Sequence, residues 1–192
     1  VDVVTKALSD SKMRIMGPQY MTAGMGDGGA CHPRDNIALR FLSKNLDMGY
    51  DLFSAIMDAR EIQAKNLADY LHNLSKKKNM QIYIHGKAYK PGVEYLEGSY
   101  SILVNEFLKK KKNEAVFLDP LTEKSTPKSI KGIILLAHSS STTYKYIKND
   151  SKPIIDSYYT DFEKGSVLVD PWRKFPISKD FEVIHYGNTR EY

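Results

Sequence analysis

Beyond Asn79 the hydrophobic period of this 192-residue chain changes, and that change restricts the fold more than any other feature. Up to about Leu74 apolar residues recur at helical spacing, whereas later they gather in short runs at 81–84, 115–118, 132–137, 166–169 and 182–185. Short apolar runs bounded by turn residues predict strands. Ser99 is placed to cap a helix through Ile102, Leu103, Phe107 and Leu108, and a further short helix is predicted at 142–148. Strands alternating with helices predict an α/β fold: a helical segment with a long connecting helix, followed by a Rossmann-like parallel sheet. Phosphate-bearing ligands of such sheets lie beyond the carboxyl ends of the strands, which is where the loops at 86–91 and 138–143 fall.

The first part reads differently. Residues 1–10 suggest the end of a helix, and because the chain opens on Val1 in mid-pattern it is expected to be a piece of a longer one. Glycines then crowd the stretch 11–29, as in a loop whose backbone approaches something closely. Asp35 reads as an N-cap before Ile37, Ala38, Leu39, Phe41 and Leu42, a helix of about three turns. After Gly49 a long stripe from Leu52 through Leu67 and Leu71 predicts a helix able to brace two units.

Composition narrows the functional classes. The net charge is +5, but lysine blocks at 76–78 and 109–112 each end a helical pattern, where cations complement the helix dipole and stay solvated. No nucleic-acid-binding module accompanies them, so no nucleic-acid partner is expected. The longest apolar run, 133–137, is far below the roughly 20 residues of a membrane span, and no leader opens the chain. A soluble protein is expected. One cysteine, Cys31, excludes a disulfide framework and suits a reducing cytoplasmic compartment. His32, His85 and His138 lack the paired spacing of metal ligands, so no metal site is expected. Trp172, Tyr158 and Tyr159 read as packing aromatics.

Gly24-Met25-Gly26-Asp27-Gly28-Gly29-Ala30-Cys31-His32-Pro33-Arg34-Asp35 is the strongest local signal. A thiol after a glycine-rich loop, near a helix N-terminus and beside Arg34, is placed where a thiolate is stabilised and reachable. A small buried cysteine at a tight turn remains the alternative. The glycines do not follow a strand, as a dinucleotide fingerprint or P-loop should.

Gly28-Gly29-Ala30-Cys31-His32-Pro33-Arg34-Asp35, preceded by Met13-Arg14-Ile15 and Tyr20 and followed by Gly86-Lys87-Ala88-Tyr89-Lys90-Pro91, resembles the UDP-glucose/GDP-mannose dehydrogenase family. Val167-Leu168-Val169-Asp170-Pro171-Trp172-Arg173 and Tyr186-Gly187-Asn188 suit the last strands of that family's C-terminal domain. The resemblance implies two units, 1–78 as the end of a central helical dimerisation domain and 79–192 as the nucleotide-sugar-binding domain. It implies NAD-dependent oxidation of a sugar C6 alcohol to a carboxylate, UDP-glucose to UDP-glucuronate in type. Cys31 matches the nucleophile that forms a thiohemiacetal and then a thioester, and Asp35 matches an aspartate that orients water and proton transfers. Lys90 matches a lysine on the substrate diphosphate, with Tyr89 beside it. Tyr20, Gly28 and Gly29 fall in the loop around the sugar nucleotide. Arg14 matches an arginine reaching the neighbouring subunit's substrate, which implies a homodimer or higher homo-oligomer. Arg34 stands near the cofactor where the family has lysine.

Glu97 departs from the resemblance, standing where an arginine is expected in an Arg-Glu-Ser sequence. The family's N-terminal NAD-binding domain has no counterpart in these residues, so the chain alone is expected to be inactive. The alternative reading is a non-catalytic nucleotide-sugar-binding and oligomerisation module.

Overall fold

A computed structural model describes residues 2–10, 22–26, 29–138 and 160–187. The predicted helix at 142–148, with Arg14, Tyr20, Gly28, Tyr158, Tyr159 and Asn188, lies outside the described residues. The described elements are helices α1 (Asp2–Asp10), α2 (Cys31–Asn45), α3 (Leu52–Lys78) and α4 (Tyr100–Lys110), and strands β1 (Ile82–His85), β2 (Val116–Leu118), β3 (Ser129–Ile130), β4 (Ile133–Leu136), β5 (Asp161–Phe162), β6 (Val167–Val169) and β7 (Glu182–Ile184).

Five strands form one sheet in the order β2-β1-β4-β6-β7, and every pairing in it is parallel. This is the α/β architecture the apolar runs predict. Alternation along each strand sends side chains to two faces. Ile82, Ile84, Ile133, Leu135, Val167 and Val169 meet α3 (Ala64, Leu67, Ala68, Leu71) and α4 (Val104, Leu108) in one core. Ile134, Leu136 and Leu168 turn the other way, against Ile130 and Phe175. The two-residue strands β3 and β5 pair with each other and were not foreseen, because two residues carry no periodic signal.

Local chemistry explains the helix ends. Asp51 caps α3 by accepting the Ser54 amide at 2.9 Å, and the helix stops where Asn79 adopts a left-handed conformation. Lys76, Lys77 and Lys78 occupy its last turn, where they complement the dipole. Ser99 caps α4 as predicted, accepting the Ile102 amide at 3.4 Å. Asp35 is a correction: α2 begins at Cys31, its N-cap position is Ala30 without a side-chain cap, and Asp35 sits inside the helix. Pro33 falls in the first turn, where its missing N–H costs nothing. The apolar residues of α2 are also turned outward, Ile37 being 58% and Phe41 68% exposed, while Asn36 and Ser43 are buried.

Two imidazoles are buried at the carboxyl edge of the sheet, His85 ending β1 and His138 just after β4. His138 Nε2 lies 2.8 Å from the Ala88 carbonyl, and since a carbonyl only accepts, Nε2 carries the proton. Nδ1 of each ring has no partner among the described residues. Burial, reinforced by His138 and opposed by Asp119, pushes His85 down to about 4. Burial also lowers His138. The unfolded chain, with imidazoles near 6.5, therefore takes up protons first as pH falls. This part of the stability is fully present above about pH 6.5 and is lost as pH drops toward 4. Urea midpoints should accordingly fall between pH 7 and pH 5, and His85→Leu should make the decline shallower; an unchanged slope would remove His85 from this account. Leu71, fully buried between α3 and the sheet, should cost about 2–5 kcal/mol on truncation to Ala in the same experiment.

Candidate functional site

In the strand order β2-β1-β4-β6-β7 the chain passes from β1 to one neighbour and returns to the other side, so a topological switch lies between β1 and β4. Open parallel sheets bind ligands in the crevice at such a switch, beyond the carboxyl ends. The loop from β1 to α4 rises there, and it is tightly held. Asp119, fully buried, accepts the amides of Lys87 and Ala88 at 2.8 and 3.0 Å. His138 donates to the Ala88 carbonyl, and the Ser99 hydroxyl to the Lys87 carbonyl at 2.5 Å. Lys87 itself is tied to Glu123 at 2.6 Å. The result is a fixed base from which Tyr89 and the exposed Lys90 project, with the Lys90 ammonium 5.3 Å from the centre of the Tyr89 ring. Tyr95 meets Tyr89 edge-on.

Cys31 is exposed and is the first residue of α2, where unpaired amides of the first turn favour an anion. The buried-cysteine alternative is thereby removed. The structure brings Cys31 to the Lys90 loop through Gly29. At φ +97° Gly29 lies so close to Tyr89 that a Cβ would sit 2.8 Å from its ring. Tyr89, Lys90, Gly29 and Cys31 thus belong to one neighbourhood. Arg34 and Asp35, both exposed on α2, pair with each other at 2.8 Å. Asp35 and then Cys31 hold the Arg34 guanidinium above its ordinary range, so the charge at this place is permanent.

A second wall is formed by the glycine-rich loop against the sheet edge. Asp170, buried at the end of β6, accepts the amides of Trp172, Lys174 and Phe175 at 2.9, 2.7 and 2.7 Å. That turn carries Trp172, whose indole donates to the Leu136 carbonyl at 2.9 Å and whose ring abuts Gly24. Beside it opens a cavity of about 200 Å³ lined by Gly24, Gly26, Gln63, Asn66, Tyr100 and Tyr186, among others.

Asp119, His138 and Asp170 were not among the candidate residues. A signal for the two aspartates is nevertheless present, because Leu118-Asp119-Pro120 and Val169-Asp170-Pro171 both put Asp-Pro directly after an apolar strand. No cluster of three or more metal-ligating side chains occurs among the described residues, and no described helix is long and apolar enough to cross a membrane. Gly24, Gly26 and Gly29 have the spacing of a dinucleotide loop, but they face the rings of Trp172, Tyr100 and Tyr89. Aromatic side chains therefore pack against these three glycines, and the loop does not follow a strand as a dinucleotide fingerprint does.

No family profile matches the chain. It is similar to a UDP-glucose 6-dehydrogenase of Rickettsia conorii, 26% identical over 117 residues, which are 60% of this chain and 27% of that one. The UDP-glucose 6-dehydrogenase AglM of Haloferax volcanii is 28% identical over 55% of this chain and 25% of its own length. The matches therefore span about a quarter of these curated relatives. Among solved structures, a UDP-glucose dehydrogenase from Pyrobaculum islandicum shares the fold over 94% of this chain and 42% of its own, with a TM-score of 0.63 and 20% identity. A GDP-mannose dehydrogenase from Pseudomonas aeruginosa does so over 94% and 44%, with a TM-score of 0.62 and 16% identity. The chain is similar in sequence to UDP-glucose 6-dehydrogenases over more than half of its length, and it shares the fold of UDP-glucose and GDP-mannose dehydrogenases over nearly all of it.

Proposed function

We propose that this chain is the substrate-side portion of a nucleotide-sugar 6-dehydrogenase, of the type that converts UDP-glucose to UDP-glucuronate. The observation that carries the reading is the placement of an exposed thiol at the start of α2 against the loop bearing Lys90, joined through Gly29 and Tyr89. A lysine ammonium on a loop pinned by buried groups is a fixed counter-charge for a diphosphate. Cys31 attacks the aldehyde stage of the sugar at C6, giving a thiohemiacetal whose tetrahedral carbon retains a hydrogen for the second oxidation. Asp35 accepts and returns protons, and Arg34 supplies a permanent positive charge beside it. Tyr20, Gly28 and Arg14, which lie outside the described residues, are assigned to substrate binding on the same reading.

The oxidising equivalents belong to NAD, which supplies hydride acceptance when bound. We assign its binding to a segment other than the residues described. The two-unit division at 78 and 79 follows the same reading, as does a cytoplasmic location. We assign a homodimer on the same reading, and the outward apolar residues of α2, Ile37, Phe41 and Leu42, are consistent with a covered face.

Calorimetric titration should show saturable binding of UDP-glucose but not of NAD. Lys90→Ala should weaken UDP-glucose binding about 10- to 100-fold, the value of a charge-assisted contact to phosphate. Undiminished affinity in that variant would contradict the diphosphate assignment. The 192-residue chain mixed with UDP-glucose and NAD should form no NADH; turnover by the chain alone would overturn the division of labour.

A further inference from the structure

We infer that Gly98 is a positioning residue for Cys31, so that the loop carrying Lys90 holds the backbone before the thiol at two points. The inference rests on the proposed role of Cys31 and extends it to residues that touch neither sugar nor thiol.

The grip is backbone against backbone. Gly98 has φ +71°, and a Cβ there would lie 2.6 Å from Ala30 Cα, 2.7 Å from Ala30 N and 2.7 Å from the Gly29 carbonyl carbon. None of those atoms belongs to a side chain that could swing away. The same dipeptide also meets Tyr89, whose ring takes the space a Gly29 side chain would need. Gly29-Ala30 is therefore contacted by both Tyr89 and Gly98, nine residues apart in one loop.

That loop is fixed in turn. Arg60 of α3 donates from Nη2 to the Gly98 carbonyl at 3.3 Å while its guanidinium lies 5.8 Å from the centre of the Tyr100 ring. Ser99, next in sequence, is tied to the Lys87 carbonyl and caps α4. A residue with a side chain at 98 would have to push Ala30 aside, and Ala30 is the N-cap position whose carbonyl accepts the Arg34 amide at 3.2 Å. Displacing it loosens the first turn of α2, and with it the backbone that carries Cys31.

The chain supplies its own control. Gly92, in the same loop, has φ +76° but nothing within 4 Å of the place where its Cβ would be. Gly92→Ala imposes the same backbone conformation on an L-residue without any collision. Because Cys31 is the sole cysteine, alkylation of the folded protein by iodoacetamide reports on that one sulfur.

The test measures the alkylation rate at neutral pH for the wild type, Gly98→Ala and Gly92→Ala, with urea midpoints and UDP-glucose titrations alongside. Gly98→Ala should slow alkylation about fivefold, the scale of loosening a helix's first turn beside a reactive group. Gly92→Ala should leave the rate unchanged while losing only the stability that strain at positive φ costs. Equal rates in all three proteins, or equal slowing in both variants, would overturn the inference. Should Gly98→Ala fail to fold, Arg60→Ala removes the donor to the Gly98 carbonyl without a clash; it too should slow alkylation, and a wild-type rate would overturn the proposal. Absence of UDP-glucose binding to the wild type would instead strike the function proposed for the site, which the alkylation rates leave untouched.

Discussion

A fully buried carboxylate, Asp119, organises the carboxyl edge of the sheet. Its oxygens take the amides of Lys87 and Ala88 from one loop and of Leu121, at 3.3 Å, from its own turn. A buried charge is tolerated only where hydrogen bonds replace the lost water. Once those amides are claimed, the chain after β1 cannot leave the sheet in another direction. Tyr89, Lys90, Gly98 and the cap of α4 all inherit their places from that constraint. Asp170 does the same after β6, where three amides converge on one carboxylate and aim Trp172 at the glycine-rich loop. Two Asp-Pro turns thus fix both walls of the candidate site.

The helices contribute the other half. α3 spends its second half in the core with the sheet and carries Arg60, Gln63 and Asn66 on the part that faces the glycine-rich loop and α4. α2 packs its polar Asn36 and Ser43 inward and leaves its apolar residues outside. That pattern is the reverse of the usual solvent-facing helix, whose apolar stripe turns toward the core.

Much of this was legible in the residues, and the parts that were not have identifiable causes. The strands showed because β1, β4 and β6 are buried on both faces and read as unbroken apolar runs. Ser99 and the lysines ending α3 announced themselves by position. Asp35 misled because a carboxylate before an apolar run is a common cap, whereas here Pro33 lies in the first turn of a helix that began at Cys31. The candidate residues Cys31, Gly29, Tyr89 and Lys90, which the structure places in one neighbourhood, stood out through their motifs. The groups that hold them, Asp119, His138, Arg60 and Gly98, act across 31 to 50 residues or through backbone contact. The Asp-Pro pair marks the turn at Asp119, but no local pattern encodes which partners these groups meet.

The claim at the centre of this account is that one crevice holds the diphosphate at Lys90 and the sugar carbon at Cys31. A crystal structure of the chain with UDP-glucose tests it most directly. The account predicts density for the diphosphate against the Lys90 loop, with the sugar C6 turned toward the Cys31 sulfur. A nucleotide bound elsewhere, or one whose sugar points away from Cys31, would contradict it.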